Sequence, residues 1–556
     1  MDYTRPSMYR ESWKLWAAAG LSAGLLELPF PLAGPMPPSH SIFAWFGLVP
    51  LLWAIFTRAR GAHPLRGSFL LAYVCGVLWY AGNCYWIYDT MLIHGGLPPF
   101  VSALLLLGYS VVLGGYFGLF GLALAVVQRR LGTAWSLSTA PILWVALDLA
   151  GARITSVPWD QLGYSQVDNS LLTQLAPWAG VYGVTFVLVA GNALLAGSML
   201  LAGARARIGS AAFGSALLLT GVLGLHLVAP KAPTSATAVL VQPNLDVAVA
   251  NVWNSPNDWN QHIREFIKLG NEQCKTYIAG IPQTGAPQGE IVCPPYPTHP
   301  DLIAWPEAPA LSFFEADPRF RTTMSDVAKT EQSALIIGGV GVDLDPTAEP
   351  QERDYNSAMI FGPDGARIGR YDKIHLVPYG EYVPYRDLFF FAHKLTGKVV
   401  DFSRGNERTV FRVNGHRYGI FICYESVFAD EIREFARNGA EALVNISDDG
   451  WYGDTSAPWQ HLNMARMRAI ENRRWLLRDT NTGVTAVIDP DGRVVQSIPR
   501  HQVDALPAQF GFRSDITFYT EHGDVFAWLC AILSIGLVWW CTRSNPQVQT
   551  SSKVRS

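Results

Sequence analysis

The sequence predicts a multi-pass α-helical membrane domain joined to a layered α/β domain. Long apolar runs with few charges occupy the first two fifths of the 556 residues, and one more lies near the end. Between them are short runs rich in Val and Ile, separated by helical patterns and by turns containing Gly and Pro. Only 16% of the residues are charged, against about 25% in soluble domains. The chain is therefore too apolar to be wholly soluble.

The long apolar runs predict about eight membrane crossings. Most of them reach the roughly 17 to 25 residues that a helix needs to span a bilayer. A cleaved signal peptide is the alternative interpretation of the first run, but no clean cleavage site follows it. The runs are 13–33, 40–57, 68–88, 98–127, 134–150, 171–202, 209–228 and 525–541.

Basic residues predict the orientation of these helices. Arg58, Arg129 and Arg205 are among the basic residues that follow every second run, and the other short connections hold almost none. Since basic loops remain in the cytoplasm, both termini are predicted there, with the long segment after the seventh run outside it. The predicted domains are a transmembrane domain (1–231), an extracytoplasmic catalytic domain (232–522) and a C-terminal helix with a tail (523–556).

The external segment has the pattern of a layered α/β domain. Helical patterns at 430–438 and 460–474 lie between strand-like runs, an alternation typical of sheets covered by helices. The stretch 270–300 is predicted to be a surface insertion. The candidate strands are 237–241, 302–305, 334–340, 357–361, 418–422, 442–446 and 483–488.

Composition excludes several classes of function. A net charge of −3 gives no reason to expect a nucleic acid partner. No pair of histidines has the spacing of metal ligands, so no metal or cofactor is expected. The absence of a Gly-x-Ser-x-Gly motif argues against a serine lipase. Of the seven cysteines, Cys274 and Cys293 flank the insertion and are candidates for a disulfide, whereas Cys423 has no obvious partner.

Three chemically capable residues follow or border strand-like runs. Glu307 follows a strand within AWPEAP, Lys373 lies in YDKIHLVPYGE, and Cys423 ends a strand in FICYES. Taken singly, each has an ordinary explanation: a buried core thiol, a solvated loop carboxylate and a basic surface loop. What weakens these separate explanations is the company that the three residues keep, since each lies at the edge of a strand-like segment of the same domain.

In this order, the three motifs resemble those of the nitrilase, or carbon-nitrogen hydrolase, superfamily. That resemblance implies an α-β-β-α sandwich and a Glu-Lys-Cys triad of Glu307, Lys373 and Cys423. With membrane runs on both sides of the domain, the chain is similar to the apolipoprotein N-acyltransferase family. The further motifs that carry this similarity are VQPN at 241–244, the Pro-Tyr-Gly-Glu-Tyr-Val-Pro segment at 378–384 and the stretch 460–487.

The resemblance implies a two-step reaction in a bacterial inner membrane. A phospholipid donates an acyl chain to Cys423 as a thioester, and the α-amine of a diacylglyceryl-cysteine on an apolipoprotein then receives it. The enzyme is expected to act as a monomer among membrane lipids, without a cofactor or nucleic acid. Supporting or substrate-binding positions carried over from the family are Glu381, Tyr424, Glu425 and Trp253.

Two other functions share part of this pattern. A membrane-tethered amidase or nitrilase would use the same triad and pass the acyl group to water. A non-catalytic membrane scaffold with a degenerate nitrilase domain is the third hypothesis, but retention of Glu307, Lys373 and Cys423 argues against it. We therefore expect the acyltransferase, with the amidase as the alternative.

Overall fold

The computed structural model of this protein describes residues 7–60, 63–247, 256–271, 299–307, 318–344, 347, 352–382 and 402–543. In these ranges, long apolar helices precede and follow two β-sheets that are covered by helices. The predicted fold class, a membrane domain with an α-β-β-α sandwich, is confirmed. The domain boundaries at 231 and 522 remain predictions.

The N-terminal part is helical throughout. A 3-10 segment, Pro38–Trp45, leads into the second helix, and two more, Leu162–Gln166 and Leu172–Leu175, precede the seventh. The helices are α1 Ser7–Glu27, α2 Val49–Arg58, α3 Pro64–Asn83, α4 Trp86–Ile93, α5 Pro99–Leu131, α6 Thr133–Ile154, α7 Ala176–Leu200 and α8 Ala204–His226.

Among the described residues, seven helical segments are long and apolar enough to cross a membrane. They match the predicted runs from the second to the last. The first run corresponds to α1, a helix of 21 residues that is not among the seven. The count of eight crossings therefore stays a prediction. The seven are Pro38–Arg58, Pro64–Asn83, Pro99–Leu131, Thr133–Ile154, Leu172–Leu200, Ala204–His226 and Val525–Arg543.

Small residues bring α3 and α5 close together. A Cβ atom at Gly121 would lie 2.5 Å from the carbonyl oxygen of Ser68, and one at Gly114 would lie 2.9 Å from the backbone nitrogen of Val77. Only glycine permits backbones to approach so closely. This is how helices pack in lipid, where dispersion contacts rather than water exclusion hold them together.

The external domain contains two six-stranded sheets. The first has the order β12-β1-β2-β3-β4-β5 and the second β11-β10-β9-β8-β7-β6, with parallel pairing at the centre of each. The strands are β1 Ala236–Gln242, β2 Leu302–Trp305, β3 Ala334–Leu344, β4 Glu352–Phe361, β5 Arg367–Asp372, β6 Val410–Val413, β7 His416–Ile422, β8 Ala442–Ser447, β9 Trp475–Thr480, β10 Thr485–Ile488, β11 Val494–Ile498 and β12 Asp504–Phe510.

Strand alternation explains why the sheets are covered on both faces. In β1, Ala238 and Leu240 point to the core between the sheets, while Val239 and Val241 pack towards the outer helices. Successive side chains of a strand point to opposite faces, so a strand that is apolar at every position must be buried on both. The helices of this part and the C-terminus are α9 Pro256–Asn271, α10 Pro318–Glu331, α11 Ala429–Arg437, α12 Ala457–Asn472, α13 Phe518–His522 and α14 Val525–Arg543.

Helix α12 joins the sandwich to the membrane domain. Leu462 and Ala465 belong to the sandwich core, whereas Met464 and Met467 belong to the core of the membrane domain. Glu471 Oε1 accepts a hydrogen bond of 3.0 Å from the backbone N–H of Val181 at the kink of α7. The catalytic domain is therefore docked on the membrane helices through packed contacts as well as through its chain connections.

Each predicted strand overlaps an observed one, but β5, β6, β9, β11 and β12 were not predicted. β5 and β11 are half-exposed edge strands with many polar residues, so their hydrophobic pattern is weak. β9 carries Arg478 and Asp479 in a fully buried position, and β12 contains Pro507. A strand that contains buried charges or proline is hard to recognise in a sequence, because these residues are more typical of loops.

Candidate active site

The three candidate catalytic residues lie at strand ends of both sheets. Glu307 comes two residues after β2, and Lys373 directly follows β5, both in the first sheet. Cys423 directly follows β7 in the second sheet. The side chains of all three are buried and interact electrostatically with one another. The fold thus brings together residues that are far apart in the chain.

Cys423 occupies an unusual backbone conformation. Its φ angle is +49°, in the left-handed region that L-residues seldom adopt. It begins a short 3-10 turn, Cys423–Val427, immediately after the buried strand β7. Strained conformations of this kind are maintained at functional sites when the surrounding structure enforces them. The sharp turn directs the thiol away from the strand axis and towards the residues of the first sheet.

Lys373 is held between two carboxylates. Its Nζ donates to Glu307 Oε1 at 3.0 Å and to Glu381 Oε1 at 2.9 Å. Asn356 Nδ2 donates to the same two oxygen atoms, at 2.7 and 2.6 Å. The other oxygen of Glu307 accepts from the backbone N–H of Asp448 at 2.9 Å. Both Glu307 and Lys373 are therefore held in fixed positions by the surrounding hydrogen bonds.

The charges of the cluster determine which groups are ionised. Burial opposes a charge on Lys373, but the adjacent Glu307 and Glu381 outweigh it and raise the pKa of the amine well above its usual value. Burial and the negative charge of Glu307 raise the pKa of the Cys423 thiol well above its ordinary range, and Lys373 offsets this only in part. The resting site thus holds a protonated amine and a neutral thiol that needs a base.

Glu425 fixes the segment that carries Lys373. Its Oε1 accepts from the hydroxyl of Tyr371 at 2.8 Å and from the backbone N–H groups of Ile374 and His375 at 2.7 and 3.2 Å. Its Oε2 accepts from the N–H of Ile422 at 2.7 Å. One carboxylate thus ties the turn after β5 to the end of β7. Burial raises the pKa of Glu425 to about 7, although these donors oppose the shift.

We expect Glu425→Gln to disturb this connection without removing volume. A glutamine offers one acceptor oxygen, so its amide N–H would face the N–H of Ile422 or of the turn after β5. An unsatisfied buried donor costs about 1 to 3 kcal/mol, and a small displacement of Lys373 is expected to slow any reaction at this site by about ten- to a hundredfold. Thermal unfolding and turnover measured on the same preparation check both effects.

Glu434→Gln is the matched control, because Glu434 lies on the exposed side of α11, paired with Arg433 and Arg437. Glu434→Gln should change neither the thermal unfolding nor the turnover of the protein. Wild-type turnover in Glu425→Gln would contradict the positioning role.

A second buried network supports Cys423 from behind. His461 Nε2 contacts the carbonyl oxygen of Cys423 at 3.0 Å and the hydroxyl of Ser426 at 2.6 Å. Its Nδ1 is 2.9 Å from Asp449 Oδ1, and Arg478 donates to the other oxygen of Asp449 at 2.7 Å. Burial and Arg478 lower the pKa of His461. The sequence alone gave no functional reason to single out His461, but in this network it contacts the backbone of Cys423.

Aromatic side chains connect the site to the membrane domain. The ring of Tyr424, next to the nucleophile, stacks on Trp159 with centroids 6.4 Å apart. Trp159 in turn lies 4.8 Å from Trp86 and 6.0 Å from Tyr452. The side of the site that holds Tyr424 therefore faces apolar and aromatic groups of the membrane helices. Tyr424 therefore packs in this interface, and its supporting or substrate-binding role stays a prediction.

Of the predicted site residues, Glu307, Lys373, Cys423, Glu381 and Glu425 form connected contacts. Trp253 lies outside the described residues, as do Cys274, Cys293 and nearly all of the predicted insertion. Sequence reasoning missed Asn356 and Asp448, which position Glu307. A usable signal existed for both, because each is a polar residue within or directly after a buried strand.

Two family models match the chain. The model described as carbon-nitrogen hydrolase matches residues 259–508, and the one described as apolipoprotein N-acyltransferase N-terminal domain matches residues 22–194. The first range includes all three candidate catalytic residues. The two models together cover most of the membrane domain and most of the sandwich.

Relatives match over nearly the full length. The apolipoprotein N-acyltransferase of Geobacter metallireducens is 33% identical over 95% of this chain and 96% of its own length. That of Chlorobaculum tepidum is 30% identical over 92% and 93%. Among solved structures, Saccharomyces cerevisiae Nit3, a member of branch 10 of the nitrilase superfamily, aligns with 51% of this chain and 93% of its own at 20% identity and a TM-score of 0.32.

Proposed function

The chain belongs to the apolipoprotein N-acyltransferase family, and from that premise we propose that Glu307, Lys373 and Cys423 carry its acyl-transfer chemistry. The protein is an acyltransferase whose nitrilase-fold domain is attached to a membrane domain, and it transfers a fatty acyl chain from a phospholipid through a cysteine thioester to an apolipoprotein. Its substrates are therefore lipids and lipoproteins.

In the first half of the proposed reaction, Cys423 attacks the acyl ester of a phospholipid. Glu307 takes the thiol proton and returns it to the departing lysophospholipid oxygen. Lys373, already protonated between Glu307 and Glu381, stabilises the oxyanion of the tetrahedral intermediate. The products are a lysophospholipid and a thioester on Cys423.

In the second half, the α-amine of the diacylglyceryl-cysteine of an apolipoprotein attacks the thioester. The amine loses a proton to Glu307, and the thiolate of Cys423 leaves and is protonated again. A thioester suits this step because it reacts readily with amines, while packing against the membrane domain excludes water from the site. The protein itself is thereby regenerated without a cofactor.

The observation that carries this proposal is the docking of the site on the membrane helices. The Tyr424–Trp159 stack and helix α12 place the nucleophile against the membrane domain. A lipid ester can reach a nucleophile in this position from the bilayer, whereas hydrolysis of a soluble amide does not require contact with a membrane domain. This geometry favours the acyltransferase over the membrane-tethered amidase. The relatives called apolipoprotein N-acyltransferase, which match nearly the whole chain, favour it as well.

We further propose that the enzyme resides in the bacterial inner membrane, with both termini in the cytoplasm and the catalytic domain on the periplasmic side. The alternation of basic connections supports this orientation. Glu381 and Glu425 then act as positioning residues, while Tyr424 and Trp253 contribute to the lipid entrance. We also propose that the working unit is a monomer.

Intact-mass measurement tests the proposed function. Detergent-purified protein incubated with a phospholipid of defined chain length should gain the mass of one acyl chain, and hydroxylamine should remove it. Adding a diacylglyceryl lipopeptide should discharge the adduct and produce the N-acylated peptide. Discharge to water at the same rate without the lipopeptide, together with hydrolysis of soluble amides, would support the amidase instead.

A further inference from the structure

A cluster of polar residues behind the nucleophile is fully buried, and no step of the proposed reaction uses it. The cluster contains a carboxylate, a guanidinium, an imidazole and two hydroxyl groups, which belong to Asp449, Arg478, His461, Ser426 and Ser447. Charged groups lose their hydration when they are buried, and apolar residues of similar volume often stabilise a protein as well or better. Stability alone therefore does not explain why polar residues occupy this position.

The cluster holds the imidazole ring of His461 in one orientation. His461 Nδ1 lies 2.9 Å from Asp449 Oδ1 and 3.0 Å from Arg478 Nη2. The ring also stacks on Trp159 of the membrane domain, with centroids 6.2 Å apart and an angle of 20° between the two planes. Because these contacts fix both the plane and one edge of the ring, His461 Nε2 is held at its position 3.0 Å from the carbonyl oxygen of Cys423.

The neighbours of the ring determine which nitrogen carries the proton. Burial and the charge of Arg478 lower the pKa of His461, so the imidazole is neutral and has one N–H group. A guanidinium only donates hydrogen bonds and a carbonyl oxygen only accepts them. With the proton on Nε2, Arg478 donates to Nδ1 and Nε2 donates to the carbonyl oxygen of Cys423.

The other tautomer is less favourable. With the proton on Nδ1, this N–H would face an N–H of Arg478, and the lone pair of Nε2 would face the carbonyl oxygen of Cys423. With the proton on Nε2, the contact between Nδ1 and Asp449 Oδ1 is unfavourable, but Arg478 donates to both groups and offsets it. Asp449 Oδ1 also accepts from the hydroxyl of Ser447 at 3.0 Å.

Two hydrogen bonds hold the backbone on either side of the strained nucleophile. Before Cys423, whose φ is +49°, the N–H of Ile422 donates to Glu425 Oε2 at 2.7 Å. After it, His461 Nε2 donates to the carbonyl oxygen of Cys423. The direction of a Cα–Cβ bond follows from the two peptide groups that flank it, so these contacts set where the thiol points. Without one of them, the strained segment would relax and carry the thiol away from the other two catalytic residues.

We propose that His461 is a positioning residue, whose Nε2–H fixes the carbonyl group of Cys423 and so directs the thiol towards Glu307 and Lys373. This inference rests on the proposed role of Cys423 as the nucleophile. His461 acts through the backbone and takes no part in proton transfer. The rate of attack by the thiol therefore depends on His461, whereas the affinity for the acyl donor does not.

Two substitutions at His461 separate the roles of its two nitrogens. The side-chain amide in His461→Gln reaches the position of Nε2, whereas the shorter amide in His461→Asn reaches only that of Nδ1. Attack by the thiol of the full-length protein is followed as a burst of nitrophenolate from p-nitrophenyl butyrate, over a range of ester concentrations. Intact mass with phospholipid and thermal unfolding are measured on the same preparations.

The two variants should differ in rate but not in affinity. We expect the maximal burst rate of His461→Gln to remain within about threefold of the wild-type rate, and that of His461→Asn to fall by about ten- to a hundredfold. The half-saturating ester concentration should stay the same in both. Each variant loses one contact of the ring, so a purely structural role would lower Tm and rate to a similar extent in the two.

His501→Asn is the matched control, because His501 is largely exposed and pairs with Asp454 outside the cluster. This variant should leave the burst and Tm unchanged. If His461→Asn does not fold, His461→Met takes its place, since a flexible apolar side chain fills the space without an N–H group. Equal burst rates in His461→Gln and the second variant would overturn the proposal, as would a wild-type burst rate in His461→Asn or His461→Met.

The ester separates this proposal from the proposed function. p-Nitrophenyl butyrate requires neither a membrane lipid nor a lipoprotein, and loss of the burst in Cys423→Ala identifies the thiol as its source. A burst with the ester but no adduct with phospholipid would contradict the proposed acyl donor. In that case the burst rates of the His461 variants still decide whether His461 positions the nucleophile.

Discussion

Replacing Cys423 with alanine is expected to abolish both the acyl-enzyme and the transfer of the acyl chain. No other described residue in the cluster is a nucleophile of comparable strength, so activity should fall by at least about four orders of magnitude. The fold should persist, because alanine fits the same buried space and tolerates a φ of +49° no worse than cysteine does. Intact mass with phospholipid and thermal unfolding on the same preparation check the two statements.

The matched control is Cys541→Ala, which removes another free cysteine, at the end of α14. This variant should still take up one acyl chain. An adduct that persists in Cys423→Ala, or one that disappears in Cys541→Ala, would show that the thioester forms elsewhere in the chain.

Glu307→Gln is expected to have the second-largest effect. It should lower both the rate of the reaction and the pKa of the Cys423 thiol, which distinguishes the two roles of Glu307. Loss of the general base should lower the rate of acyl-enzyme formation by about a thousandfold. The same change removes a negative charge that raises the pKa of the Cys423 thiol, while Lys373, which lowers it, keeps its contact with Glu381. The thiol pKa should therefore fall, even though the enzyme is slower.

The pH dependence of alkylation measures this directly. In the wild-type protein, the rate of Cys423 modification by iodoacetamide should rise only above the pH range of an ordinary thiol, since its pKa is raised. In Glu307→Gln, the rise should begin at lower pH. Glu381→Gln is the matched control, because it also contacts Lys373 but leaves Glu307 in place. A rise at higher pH in Glu307→Gln would contradict the inference that Glu307 raises the pKa of the thiol, whereas an unchanged rate of acyl-enzyme formation would contradict its role as the base.

Some parts of the site were accessible to sequence analysis because their signal is local. Cys423 and Glu307 each follow a short strand whose last four or five residues are all buried, and such strands are visible as apolar runs. Glu425 and Glu381 were accessible only through the motifs around them. Asn356 and Asp448 were missed. A polar residue within or after a buried strand is a visible signal, but only the tertiary structure shows that each donates a hydrogen bond to Glu307.

By itself, the sequence determined the membrane helices, the layered α/β character and the candidate triad. A helix that spans a bilayer needs a long run of apolar residues, and successive side chains of a strand point to opposite faces. Both requirements apply to neighbouring residues, so they leave a pattern that can be recognised in the sequence. Only the tertiary structure decided that Lys373 lies between two carboxylates and that His461 contacts the backbone of Cys423. These contacts join residues from different sheets and domains, and packing of the whole chain, rather than local propensity, sets their distances.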